Sequence, residues 1–151
     1  MKTPRNIAYI LVIGLFLAAC HTTSSGGDPT PANAPKPQLL AGTLAKSWVT
    51  TSLKINGVES FNQTKPCAQD DILVFKADNS YERNEGPTKC RDKDPQVYEK
   101  GTWALGTADT ELIFNKTDRA KLLELTPNTL RFSVVSIFGE IREQTFQAQS
   151  N

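Results

Sequence analysis

Between residues 45 and 148 the chain alternates large apolar and polar side chains at a period of two, in short runs broken by turn-forming residues. Successive side chains of a strand point to opposite faces, so such runs make half-buried strands. Trp103 with Leu105, Leu112 with Phe114, Leu123 with Leu125, and Leu130 with Phe132 and Val134 each share a face. The residues between them are mostly Lys, Glu, Arg, Thr and Ser, so the other face is wet. Asp78-Asn79, Gly106 to Asp109, Asn115 to Arg119, Pro127-Asn128 and Gly139 supply the turns. Eight strands result: 45–55, 71–76, 80–84, 97–105, 111–115, 120–126, 129–136 and 141–148. No sustained helical period appears, and Leu122 to Leu125 run too soon into Pro127 to start a helix.

Eight short antiparallel strands can form a sandwich or an up-and-down barrel, and closing the barrel removes the unpaired edges. The loop lengths favour the barrel. In a meander alternate connections fall at one end; the second, fourth and sixth are short, whereas the first (56–70) and third (85–96) are long. That is a cup with a tight floor and a loop-bearing mouth, although a sandwich satisfies the same pattern. The expected class is all-β, an eight-stranded antiparallel barrel.

Ahead of this region lies a leader. Lys2 and Arg5 are basic, Ile7 to Leu17 carry no charge, and Ala18 and Ala19 are small enough for a cleavage pocket. Eleven apolar residues rise about 17 Å as a helix, against about 30 Å of hydrocarbon, so the run is too short to span a bilayer. Leu17-Ala18-Ala19-Cys20 resembles the lipobox of bacterial lipoproteins. The resemblance implies cleavage before Cys20, a diacylglyceryl group and an amide-linked chain on it, and attachment to the envelope. His21 follows where Asp would favour the inner membrane, which points to the outer one. Residues 20–38, rich in Ser, Thr, Gly, Pro, Ala and Asn, are too poor in large apolar groups to offset ordering entropy by burial. They read as a tether reaching about 25 Å as a coil and up to about 55 Å extended. It would enter at the tight end and leave the mouth facing away from the anchoring membrane. The domain expected is 39–148, followed by a short tail at 149–151.

Charge excludes one class of partner. Cleavage would remove Lys2 and Arg5, so 17 basic residues become 15 against 16 acidic ones, a net charge of −1. Nothing favours nucleic acid.

Cys67 and Cys90 lie in the two long connections, equidistant from Asp78-Asn79, in a chain addressed to a compartment where disulfides persist. We expect them to pair. Pro66 and Pro87 argue that the regular ladder ends before them. A redox pair or a metal site would need a CxxC spacing or a histidine, and the chain's one histidine is His21.

Trp48, Cys67 with Asp70-Asp71 before Phe75, the Asp78 to Tyr81 turn, Cys90, Gly101-Thr102-Trp103, and Leu125-Thr126-Pro127-Asn128-Thr129-Leu130 together resemble the bacterial lipocalin-like domain over most of 40–148. The resemblance implies a small barrel with an open end. One departure stands out. Lipocalins proper carry Gly two residues before the first-strand tryptophan, where this chain has Lys46, and a late basic residue over the indole. Arg142 or Arg131 could serve as that partner of Trp48 by cation–π contact, the alternative being that Trp48 and Trp103 are plain core residues.

The candidate interior is Trp48, Phe75, Tyr81, Trp103, Phe114, Phe132 and Phe146 with Leu123, Leu125 and Val134. Such a barrel is wide enough to be filled by its own side chains or to hold one small ligand. We expect a mostly filled floor and a shallow mouth. Phe61, Ile137 and Phe138 fall in the mouth loops, where large apolar residues point to a hydrophobic ligand or partner, or fold back as a plug. The expected ligand contacts are therefore Trp48, Phe75, Tyr81, Trp103, Phe114 and Phe132 with those three. No catalytic set, metal site or cofactor motif is legible. Asp70 and Asp71 would point to opposite faces and merely solvate the start of a strand. Two functions remain: a tethered module binding a small apolar or amphipathic molecule, or a barrel contacting an envelope protein through its loops. A cavity of about 300 Å³ or more would favour the first, and a filled barrel the second.

Overall fold

The computed structural model describes residues 31–149; the expected leader, Cys20, His21, the stretch read as a tether up to residue 30, and residues 150–151 of the expected tail lie outside them. The strands are β1 (Ala45–Ile55), β2 (Val58–Glu59), β3 (Ile72–Lys76), β4 (Ser80–Asn84), β5 (Val97–Leu105), β6 (Glu111–Phe114), β7 (Asp118–Leu125), β8 (Thr129–Val135) and β9 (Ile141–Ala148). Apart from β2, each strand pairs antiparallel with the next, and β9 returns to β1. The sheet is thus a closed eight-stranded up-and-down barrel, as the alternation and loop lengths imply.

Closure depends on β1. Its first half pairs with β3 (Ala45↔Lys76 to Val49↔Ile72) and its second half with β9, ending at Ile55↔Arg142. A bulge between Thr50 and Ser52 bends the strand between these two tasks. Asn56-Gly57, at φ 50° and 84°, then turns the chain back as β2. Asn-Gly is a strong two-residue hairpin signal, and it subdivides a connection that reads as one long loop.

The β4–β5 pairing also shifts register, between Arg83 and Asn84. A third shift, between Leu122 and Glu124, inserts Leu123 and turns the phase of β7. Leu122 and Leu125 therefore pack on the core, rather than Leu123 with Leu125. The β3–β4 register, Phe75↔Tyr81, centres the turn on Asp78, with Asn79 at φ 66°. The turn is thus one residue longer than an Asp78-Asn79 pair.

The stretch read as tether also ends early. A short helix α1 (Lys36–Ala41) begins inside it, with Pro37 in its first turn and Gly42 at φ 65° closing it. Leu39, Leu40 and Ala41 are buried, and burial rather than helical period explains the element. It seals the tight end. Trp48 Nε1 donates to Leu40 O at 2.9 Å, and Lys46 Nζ donates to Leu39 O at 2.8 Å and to Pro127 O at 2.6 Å. Lys36 Nζ reaches Asp109 O, at 2.8 Å, in the neighbouring turn.

Above this floor the interior is aromatic. Phe75 meets Trp103 edge-on at 5.8 Å, Tyr81 meets Phe114 at 5.0 Å, and Phe132 stacks on Phe146 at 5.2 Å. Leu112, Ala120 and Leu130 fill between them.

Candidate binding site at the open end

The inward-facing parity of each strand continues upward past the aromatic layer into polar residues. On β3 the series Phe75, Leu73 reaches Asp71; on β4 Tyr81 is followed by Arg83; on β9 Phe146 is followed by Gln144. The Tyr81 hydroxyl donates to Glu99 and accepts from Asn115 Nδ2 at 3.1 Å, while Arg83 Nε lies 3.2 Å from Glu99 Oε2. The Tyr98 hydroxyl donates to Asp71 Oδ2 at 2.9 Å. Asp71 Oδ1 is buried without a hydrogen-bond partner.

Burial sets the protonation of this layer. It raises the carboxyl of Asp71 above its ordinary value, opposed by the Tyr98 hydrogen bond and assisted by Glu85 and Asp70. Burial, then the bond to Glu99, pushes the Tyr81 phenol up to about 12; burial and Asp71 push Tyr98 up as well. Both phenols stay neutral donors at physiological pH.

Over this layer lies a cavity of about 110 Å³ lined by Thr50, Leu53, Phe61, Thr64, Ala68, Asp71, Arg83, Tyr98 and Gln144. Phe61, Thr64 and Ala68 come from the first long connection, whose two single turns of 3₁₀ helix (Phe61–Gln63 and Pro66–Ala68) fold over the rim. Cys67, beside Ala68, is bonded to Cys90 with Cα atoms 5.0 Å apart, tying that connection to the third. The expected pairing holds, but the bond joins irregular loops; the β3–β4 ladder ends at Ile72↔Asn84. Glu85 Oε2 accepts from Cys90 N at 3.1 Å and fixes the far side of the bridge.

Among the residues expected to meet a ligand, Phe61 lines this cavity. Trp48, Phe75, Tyr81, Trp103, Phe114 and Phe132 are brought together, but as the packed interior beneath it. Trp103 stands at the closed end, with Nε1 donating to Lys76 O at 3.0 Å. Ile137 and Phe138 do not plug the mouth: they are 94% and 83% exposed in the β8–β9 turn. Asp71, Arg83 and Gln144 escape a reading that searches for apolar contacts, and Asp71 does more than solvate a strand. Their signal is shared parity with Phe75, Tyr81 and Phe146.

The cation over Trp48 is also not the expected one. Lys46 Nζ sits 4.5 Å from the ring centroid, whereas Arg131 is drawn to Glu124 and Glu143, and Arg142 to Glu140. On β1, Lys46 and Trp48 share the inward parity, so a lysine two residues earlier reaches the indole directly.

The lipocalin-like domain family model matches residues 44–132, from the edge of β1 into β8. The chain belongs to the lipocalin-like domain family. Comparison with curated proteins finds no match. The matched span includes the cavity's loop wall, both disulfide cysteines and most of the aromatic interior, while α1 and β9 complete this lipocalin-like barrel from outside it.

Proposed function

We propose that this lipocalin-like chain is a non-catalytic binding lipoprotein of the bacterial envelope. Lipid on Cys20 holds it to a membrane, the outer one by the reading of His21, and it takes a small amphipathic molecule at the open end of its barrel. The observation that carries the reading is the position of the cavity: above the packed aromatic interior, at the loop-bearing rim, lined by apolar Phe61 and Leu53 together with polar Asp71, Arg83 and Gln144. About 110 Å³ is less than the roughly 150 Å³ that accommodates a benzene ring. The site therefore suits a short molecule or the head of a longer one, with the remainder outside the rim.

This cavity falls short of the roughly 300 Å³ that marks a ligand pocket, and that supports a second reading, contact with an envelope protein through the loops. Ile137 and Phe138 are the residues that would make it.

Two experiments separate the parts. Intact mass of the chain made in a lipoprotein-processing host is expected to show loss of residues 1–19 and added acyl chains, with Cys20→Ser leaving the membrane fraction; an unmodified full-length mass would remove the anchor. Photo-crosslinking from position 138 in that host is expected to give no discrete protein adduct, and a single recurrent adduct would replace the ligand reading with the second one.

A further inference from the structure

Electrostatics at the rim select among amphipathic molecules. At the rim Asp71 stands beside the like charges of Glu85 and Asp70, and the guanidinium in the cavity lining, Arg83, is already paired with Glu99 at 3.2 Å. Asp71 has only a neutral donor, the Tyr98 hydroxyl, on one oxygen, and its other oxygen is buried without a partner; Asp70 Oδ1 is in the same condition. A buried carboxylate oxygen lacking a donor is costly, and a charged donor supplies the strongest hydrogen bond available to it. The cavity beside Asp71 also offers Phe61 and Tyr98, whose ring faces attract a cation, and the aliphatic surface of Leu53 and Ala68.

We infer that the lipocalin-like barrel binds a primary amine with a short apolar stem, its ammonium on Asp71 and its stem against Leu53, Phe61 and Ala68. The inference rests on the binding reading above and narrows it to one chemical class. An anionic head would meet Asp71 with its like charge, and the guanidinium in the cavity lining, Arg83, is already ion-paired with Glu99. An alcohol would satisfy Asp71 Oδ1 but leave the excess negative charge unbalanced. A metal ion would require converging oxygens, and among the described residues no three acidic or other ligating side chains are grouped for one.

The test is calorimetric titration of the full chain with n-pentylamine, n-pentanol, pentanoate and calcium chloride in parallel, at pH 7. Saturable binding of the amine alone is expected, weakened at least tenfold in Asp71→Asn and severalfold in Phe61→Ala. Asp71→Asn retains an oxygen for the Tyr98 hydroxyl, and its thermal melt checks that it folds. Pentanol or pentanoate binding as well as the amine, calcium displacing the amine, or amine affinity unchanged in Asp71→Asn would each overturn the assignment. If pentanol binds and the amine does not, the binding reading stands and the amine is wrong; if no probe binds, both fail.

Discussion

Lys46 shows how one residue substitutes for a distant one. Its ammonium bonds two backbone oxygens at the closed end and covers the Trp48 ring. Hydrogen bonds to a charged group contribute about 1.5–3 kcal/mol each, less at a partly exposed site. Lys46→Met should therefore lower stability by about 1–3 kcal/mol in denaturant titration and change Trp48 emission. Replacing Arg131 or Arg142 should leave that emission unchanged, and the reverse pattern would contradict the assignment. Asp71 makes a prediction with a definite sign. Its folded pKa is raised above 3.8, so the folded state holds the proton more tightly than the unfolded chain. The stability this group contributes is full below pH 3.8 and is lost as pH rises through the folded value. Asp71→Asn is therefore expected to be at least as stable as the parent at pH 7, with an advantage that shrinks toward pH 3. An advantage that grows on acidification would be the wrong sign. Neither role is legible in residue type alone: an early-strand lysine and an aspartate beside another aspartate both look solvated until strand parity is followed to its ends.

Among the elements, the strands follow from alternation because each side chain reports its own face. The exceptions are the places where geometry is not periodic. Leu123 changes phase because one inserted residue resets every later side chain, and Asn56-Gly57 creates β2 inside a connection. The helix α1 has too few residues for a period and exists because Leu39 and Leu40 cover the barrel floor. Leu40 is fully buried, so Leu40→Ala should cost about 2–5 kcal/mol. A loss below about 0.5 kcal/mol, the ordinary level for a surface change, would mean that the helix does not seal the barrel. The disulfide acts at the opposite end. Reducing it should lower stability by about 3 kcal/mol and speed amide exchange first at 61–68 and 86–96, leaving the aromatic layer protected. Equal loss of protection through β3 and β5 would contradict a bond that ties loops rather than the core.

At the scale of the whole molecule, the closed end is sealed by a helix, the middle filled by rings, and the open end polar and roofed by loops. The closed barrel and the Cys67–Cys90 bond were legible, because alternation, loop length and the place of both cysteines in the long connections each limit them independently. The site was not. Filling of the interior depends on how Phe75, Tyr81, Phe114 and Phe132 mesh, and sequence supplies their number but not their fit. An apolar residue in a mouth loop marks Phe61, whereas its polar neighbours Asp71, Arg83 and Gln144 carry no such mark. The proposed binding is in the rim cavity, above the packed aromatic interior. Native mass spectrometry of the chain purified from its own host, compared with Ala68→Phe, which places a ring in that cavity, tests it most directly. A small-molecule adduct is expected on the parent chain and lost in Ala68→Phe; no adduct on the parent, or one that survives Ala68→Phe, would rule out binding in the rim cavity.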